Sequence, residues 1–178
     1  MRAFFAINLS SEIKDLLEDV ILRLDKLNLR SDIKWVNKDN LHLTLAFIEN
    51  LAEEKLANII EEVDKLPKPD FWLVQLGDIG YFPSSGKVKV MKMSLLGDIE
   101  KIVVFQNKIK QILKKEGITF DEKDFAPHLT LGRIKDQRGP LSKFVVYDKL
   151  SFPVTEFDLI RSDLNKQGNR YEVLKKFK

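Results

Sequence analysis

The sequence predicts an α+β fold in which antiparallel sheets line a central cleft and helices lie outside. Three observations carry this. A His-Leu-Thr-Leu segment occurs twice, at residues 42–45 and 128–131. The segments around the two copies match when the chain is shifted by the distance between them, which marks an internal repeat. Strand-like and helix-like stretches do not alternate strictly, which argues against a parallel sheet wound with crossover helices. The expected organisation is one domain, residues 1–178, made of two pseudo-repeated lobes related by a pseudo-two-fold, with the motifs facing each other across the cleft.

Residues 2–9 are apolar and rich in β-formers, and the shift lays them on residues 88–95. Ile13, Leu16, Leu17, Val20 and Leu24 then recur at helical spacing, as do Ile99, Ile102, Val103, Ile109 and Ile112. Ser10 or Ser11 caps the first helix and Asp98 the second, their side-chain oxygens accepting from free backbone N–H groups. Gly117 stops the second helix. A polar connection leads from each helix to its motif. A third helix covers residues 53–66, and a weaker counterpart lies near residues 141–147. Two strand candidates follow each motif, at 71–82 with 88–95 and at 150–164 with 171–177.

The chain has 178 residues, 44% hydrophobic and 32% charged, with a net charge of +3. This suits an ordinary globular protein and permits an anionic substrate without demanding one. Cysteine is absent, which excludes disulfides, thiolate nucleophiles and cysteine-based zinc sites. No stretch has the flanks of a signal peptide or the length of a membrane span. The expectation is a cytoplasmic monomer with no membrane association and no protein partner.

Strand side chains alternate between faces. His42 and Thr44 therefore share one face, while Leu41, Leu43, Leu45 and Phe47 take the other as core. His128 and Thr130 repeat the arrangement, with Leu129 and Leu131 behind them. These are the only two histidines, and two of the four threonines accompany them. A single histidine on a half-buried strand is usually a satisfied structural group. Two in identical settings suit shared acid–base chemistry at one phosphodiester. One neutral imidazole takes a proton from water and one imidazolium gives a proton to the leaving oxygen. The Thr44 and Thr130 hydroxyls can donate to non-bridging phosphate oxygens. No metal or other cofactor is expected, because catalytic zinc usually takes three protein ligands and only two histidines exist. There is no G-x-S-x-G turn, P-loop or dinucleotide glycine pattern. Arg133 could clamp a phosphate. Strict alternation turns it away from His128, and a bulge at Gly132 would turn it back.

The two H-x-T-x motifs resemble those of the 2H phosphoesterase superfamily. More narrowly, the chain resembles the RNA 2′,3′-cyclic phosphodiesterases, also called 2′-5′ RNA ligases. The likeness includes Arg2-Ala3-Phe4-Phe5-Ala6-Ile7, Trp35-Val36, Asn40-Leu41-His42, Phe82-Pro83, and Pro127-His128 through Gly132-Arg133. Near the end it includes Ser162, Leu164, Gly168 and Tyr171. The resemblance implies a bilobal cleft, no cofactor, and hydrolysis of RNA 2′,3′-cyclic phosphate ends to 2′-phosphates, with reverse joining of 2′-5′ ends. It implies His42 as proton donor, His128 as proton acceptor and Arg133 as a phosphate contact. RNA ends or small cyclic nucleotides are the implied substrates. Where relatives often carry Arg-Val-x-Trp, this chain has Lys87-Val88-Lys89-Val90, which keeps a charge but loses the planar fork. A non-catalytic module that binds RNA ends or nucleotides on the same fold is the alternative.

Phe5, Tyr81 and Phe82 are candidates to stack a base, although Phe5 in an apolar strand suits the core better. Lys34, Lys38, Lys87, Lys89 and Lys135 could line an anionic path, or simply form a solvated surface.

Overall fold

The computed structural model describes residues 1–178 apart from 85, 123, 166 and 167. The described residues form β1 (Ala3–Asn8), α1 (Ser11–Leu27), β2 (Asp32–Trp35), a 3-10 turn (Lys38–Asn40), β3 (His42–Ile48) and α2 (Glu53–Asp64). There follow β4 (Trp72–Phe82), β5 (Val90–Gly97), α3 (Ile99–Lys115), β6 (His128–Asp136), β7 (Ser151–Val154), β8 (Phe157–Asn165) and β9 (Gly168–Phe177). Every strand pairing is antiparallel. The strands run in the order β7-β4-β5-β6-β3-β1-β8-β9, with β2 paired to β6 off this path. The expected mixed fold with antiparallel strands is present.

Both halves of the sheet follow one pattern. β1 lies between β3 and β8, and β5 lies between β6 and β4. The halves meet where β3 touches β6, with Leu43 opposite Leu129. Farther along, β6 leaves β3 and pairs with β2, from Gly132 to Asp136.

The helices pack on one face because their apolar stripes and the strand leucines have nowhere else to escape water. Ile13, Leu17, Val20 and Leu24 of α1 share one core cluster with Ile59 and Val63 of α2 and Ile102, Ile109 and Leu113 of α3. Leu41, just before β3, and Phe5, Ile7, Leu43, Leu45, Met91, Met93, Leu129 and Leu131 of the strands complete it. Each such side chain stabilises the fold by about 1.5–3 kcal/mol relative to exposure. Phe5 is fully buried here, which removes it as a base-stacking residue. A small second cluster of Phe4, Ala6 and Ile160, with Phe47 and Tyr171 packed against it, lies on the opposite face. No described helix is long and apolar enough to cross a membrane.

Some expectations hold and others are corrected. Ser10, not Ser11, caps α1, its Oγ accepting from the Ile13 N–H at 3.4 Å. Asp98 makes no cap bond to α3. Its carboxylate instead accepts from the Leu73 N–H at 2.9 Å and pairs with Lys101, so it ties the helix start to β4. Gly117 ends α3 in the left-handed region, φ +62°. The strand expected at 150–164 is two strands on distant parts of the sheet: β7 pairs with β4, and β8 with β1 and β9. The helix expected near 141–147 is absent. Phe144 and Val146 are exposed while Val145 and Tyr147 pack on the core, an alternation of two that no helix can produce.

That segment is held by side chains. Buried Asn28, just past α1, donates to the Leu24 carbonyl at 2.7 Å and to the Ser142 carbonyl at 2.9 Å, and accepts from the Ser142 N–H at 2.8 Å. Tyr81 and Tyr147 donate to the carbonyls of Leu141 and Gly77. Replacing Asn28 by Ala removes three hydrogen bonds, one buried and two part-buried, and is expected to lower stability by roughly 2–3 kcal/mol, read as a shift in the urea midpoint at unchanged slope.

Candidate active site

In each motif strand the alternation that the leucines impose is broken once. Along the β1–β3 pair, Phe5 faces Ala46 and Ala6 faces Thr44, so Leu45 is an extra residue. Along the β5–β6 pair, Met91 faces Gly132 and Lys92 faces Thr130, so Leu131 is extra. The two bulges stand at the same place in the two motifs. In each, two successive residues are buried, Leu45 with Ala46 and Leu131 with Gly132, and the phase of the strand reverses beyond them.

The first bulge corrects one expectation. Phe47, assigned to the core, lies on the imidazole face, half-buried against Phe4 at 6.4 Å between ring centroids. The second turns Arg133 to the face of His128 and Thr130, and buries Ile134 in its place. Gly132 is required for close approach. A Cβ there would stand 2.7 Å from the Trp35 ring and 2.9 Å from Ile33.

Antiparallel running with Leu43 opposite Leu129 sets His42 toward Thr130 and Thr44 toward His128. The two imidazoles are then diagonal neighbours, a relation that spans about 7–8 Å in a regular pair. Both rings are fixed alike. His42 Nδ1 lies 2.7 Å from the Asn40 carbonyl and His128 Nδ1 lies 2.7 Å from the Ala126 carbonyl. A carbonyl only accepts, so each Nδ1 carries the proton and each Nε2 is left for chemistry. His42 Nε2 lies 3.0 Å from Thr44 Oγ1, where the neutral ring accepts from the hydroxyl.

The surroundings of the two rings differ. Phe4 stacks on His42 at 4.8 Å and Tyr171 meets it edge-on at 5.6 Å. This burial pushes the His42 pKa down to about 4, against the carbonyl of Asn40, with Lys14 and Arg133 adding smaller repulsion. Burial also lowers His128, again opposed by a carbonyl, with Lys92 and Arg133 as nearby charges. Arg133 thus acts on both imidazoles. It is exposed and has no bonded partner among the described residues.

Sequence reasoning missed Phe4 and Lys92. Lys92 lies opposite Thr130, and counting by twos along β5 would have found it. Phe4 sits in an apolar strand where periodicity carries no information. Of the expected cationic path, Lys38 is ion-paired with Asp15 and Glu18 and is not available. Lys87, Lys89 and Lys135 are exposed. Lys34 lies opposite Arg133. Among the described residues no three His, Asp or Glu side chains gather as metal ligands.

The LigT like Phosphoesterase family matches residues 7–90 and 97–171. The chain belongs to this phosphoesterase family. It is 32% identical to the RNA 2′,3′-cyclic phosphodiesterase of Archaeoglobus fulgidus over 99% of each chain. It is 31% identical to the enzyme of that name from Methanocaldococcus jannaschii, over 99% of this chain and 100% of the other. Among solved LigT-like structures, TT0787 of Thermus thermophilus superposes with a TM-score of 0.84 at 28% identity, covering 99% of this chain and 97% of that one. E. coli LigT complexed with 3′-AMP superposes with a TM-score of 0.81 at 26% identity, covering 98% and 95%.

The lowered His42 pKa in this LigT-like phosphoesterase has a consequence for acid stability. Between about 6.5 in the unfolded chain and about 4 in the folded one, only the unfolded chain takes up the proton. Stability is therefore expected to fall as the pH drops through that window. Denaturant melts of wild type and His42→Gln should show a flatter pH dependence in the variant.

Proposed function

We propose that this chain hydrolyses RNA 2′,3′-cyclic phosphate ends to 2′-phosphates with two histidines and no metal. The observation that carries the reading is the shared setting of the two imidazoles. Each is fixed through Nδ1 by a carbonyl two residues upstream, each presents Nε2, and each has a motif threonine two residues on. The names of the relatives and the 3′-AMP in the E. coli neighbour support a substrate with phosphate at the ribose 2′,3′ edge.

In this mechanism water attacks the phosphorus while His128 Nε2 takes its proton. The bond from phosphorus to O3′ breaks, and O3′ receives the proton of His42 Nε2. The products are a 2′-phosphate and a free 3′-hydroxyl. Thr44 and Thr130 donate to the non-bridging oxygens, and Arg133 neutralises charge that grows on them. Strong desolvation makes a His42 imidazolium the readier acid, which fits the donor role, and the bound phosphate anion supplies the charge that lets His42 hold a proton at neutral pH. Run backwards, the same steps join a cyclic end to a hydroxyl in a 2′-5′ linkage. The matched bulges and the two family segments also support descent of the halves from one repeated unit.

The test is product analysis with an oligonucleotide ending in a 2′,3′-cyclic phosphate, in excess chelator. Wild type should form only the 2′-phosphate, and His42→Ala and His128→Ala should each lose about 10²–10⁴-fold in rate. Hydrolysis that survives either substitution unchanged, or wild-type activity lost in chelator, rejects the mechanism.

The pH profile gives an independent check. The active pair holds one proton, so rates should follow a bell between two apparent pKa values. Burial and nearby cations lower both imidazoles in the free protein, whereas the bound anion raises them. The basic limb of kcat should therefore lie at higher pH than that of kcat/KM. A rate that climbs steadily from pH 5 to 9 contradicts the pair.

A further inference from the structure

The reversed phase beyond the second bulge aligns a row of side chains across four strands. Phe82 lies opposite Val90, Val90 opposite Arg133, and Arg133 opposite Lys34. Residues directly opposite in an antiparallel sheet share a face. This row is one pleat, about 7 Å, beyond the row of Gly80, Lys92 and Thr130, which holds the motif threonine. Row and reacting centre therefore share one continuous surface.

The row has the composition of a ligand surface. Phe82 is 55% exposed although it is large and apolar. Lys92 Nζ lies 5.8 Å from its centroid, so one face of the subsite is already cationic. Lys34 and Arg133 are exposed and have no bonded partner among the described residues. Val90, directly opposite Phe82, is a short side chain. The other strongly exposed aromatics, Phe71 and Phe144, lie outside the strands and away from the motif rows.

We infer that this row is a second subsite, which binds the RNA strand on the 5′ side of the reacting phosphate. A base stacks on Phe82, and the next internucleotide phosphate sits on Lys34 beside the Arg133 position. The inference rests on the proposed function and adds a substrate class to it: the preferred substrate is a strand of two or more nucleotides, not a cyclic mononucleotide. An aromatic platform beside a cationic track is the common way to hold single strands without reading sequence.

The experiment compares kcat/KM for a pentanucleotide ending in a 2′,3′-cyclic phosphate with that for the matching nucleoside 2′,3′-cyclic phosphate, in wild type, Phe82→Ala, Phe82→Trp and Lys34→Gln. Phe82→Ala should lower the ratio of the two values about tenfold or more, and Phe82→Trp should restore it. Lys34→Gln should make the salt dependence of pentanucleotide binding shallower by about 0.7 in the log–log slope, one phosphate contact on a single strand. An unchanged ratio, or a parallel loss on both substrates, overturns the subsite. If wild type hydrolyses neither substrate, the proposed reaction has failed, and the subsite is read separately by fluorescence anisotropy with a pentanucleotide ending in a 3′-phosphate. Binding about tenfold weaker in Phe82→Ala supports the subsite there, and equal binding overturns it.

Discussion

The contact of Leu43 with Leu129 is the constraint on which the rest of the imidazole face depends. Among the described residues it is the one register pair between β3 and β6, where the two halves of the sheet meet. Both leucines are buried in the helix-side core, which fixes their direction and sends the flanking histidines and threonines to the open face. A slip of one residue at this junction would turn every one of those side chains over. The hydrophobic core thus sets the register of the polar face without touching it.

A single backbone device, used twice, then produces two unlike walls. Each motif strand gains one residue at its second leucine, Leu45 or Leu131, and the residue two places beyond it swings onto the imidazole face. In β3 that residue is Phe47, which packs on Phe4, the ring that stacks on His42. In β6 it is Arg133, which stays exposed beside Lys34. A nearly symmetric scaffold in this way gives two imidazoles that are both lowered by burial and by nearby cations, with the deeper burial at His42, against Phe4 and Tyr171. The difference between the two histidines comes from the rings of Phe4 and Tyr171 around His42, not from the motif.

Much of this was legible in the sequence because the signals were local. The repeated motif, the helical spacing of α1 and α3, and the pairing of His with Thr on one face all depend on residues a few positions apart. Bulges are harder, because an added residue leaves no mark in a run such as Leu-Ala-Phe. Phe47 was misplaced for that reason, while Gly132 gave enough of a hint for Arg133. Residues 150–164 looked like one strand because the run is uniformly β-forming, and only the tertiary pairing shows where it is cut. The segment near 141–147 mimicked a weak helix because its apolar residues are dense, yet its fixed points are Asn28, Tyr81 and the core, all distant in sequence.

The strand order has a temporal meaning. β1 is made long before its neighbour β8, so one edge of β1 stays unpaired until β8 has left the ribosome. Such long-range pairing slows folding, and a bare edge of this kind invites association with other strands. Ile160 and Tyr171, which pack beside His42 and Phe4, arrive with those late strands. The environment of the first histidine is therefore finished only when the C-terminal hairpin docks, and a chain cut short before residue 157 would carry both motifs yet leave the aromatic wall of His42 incomplete.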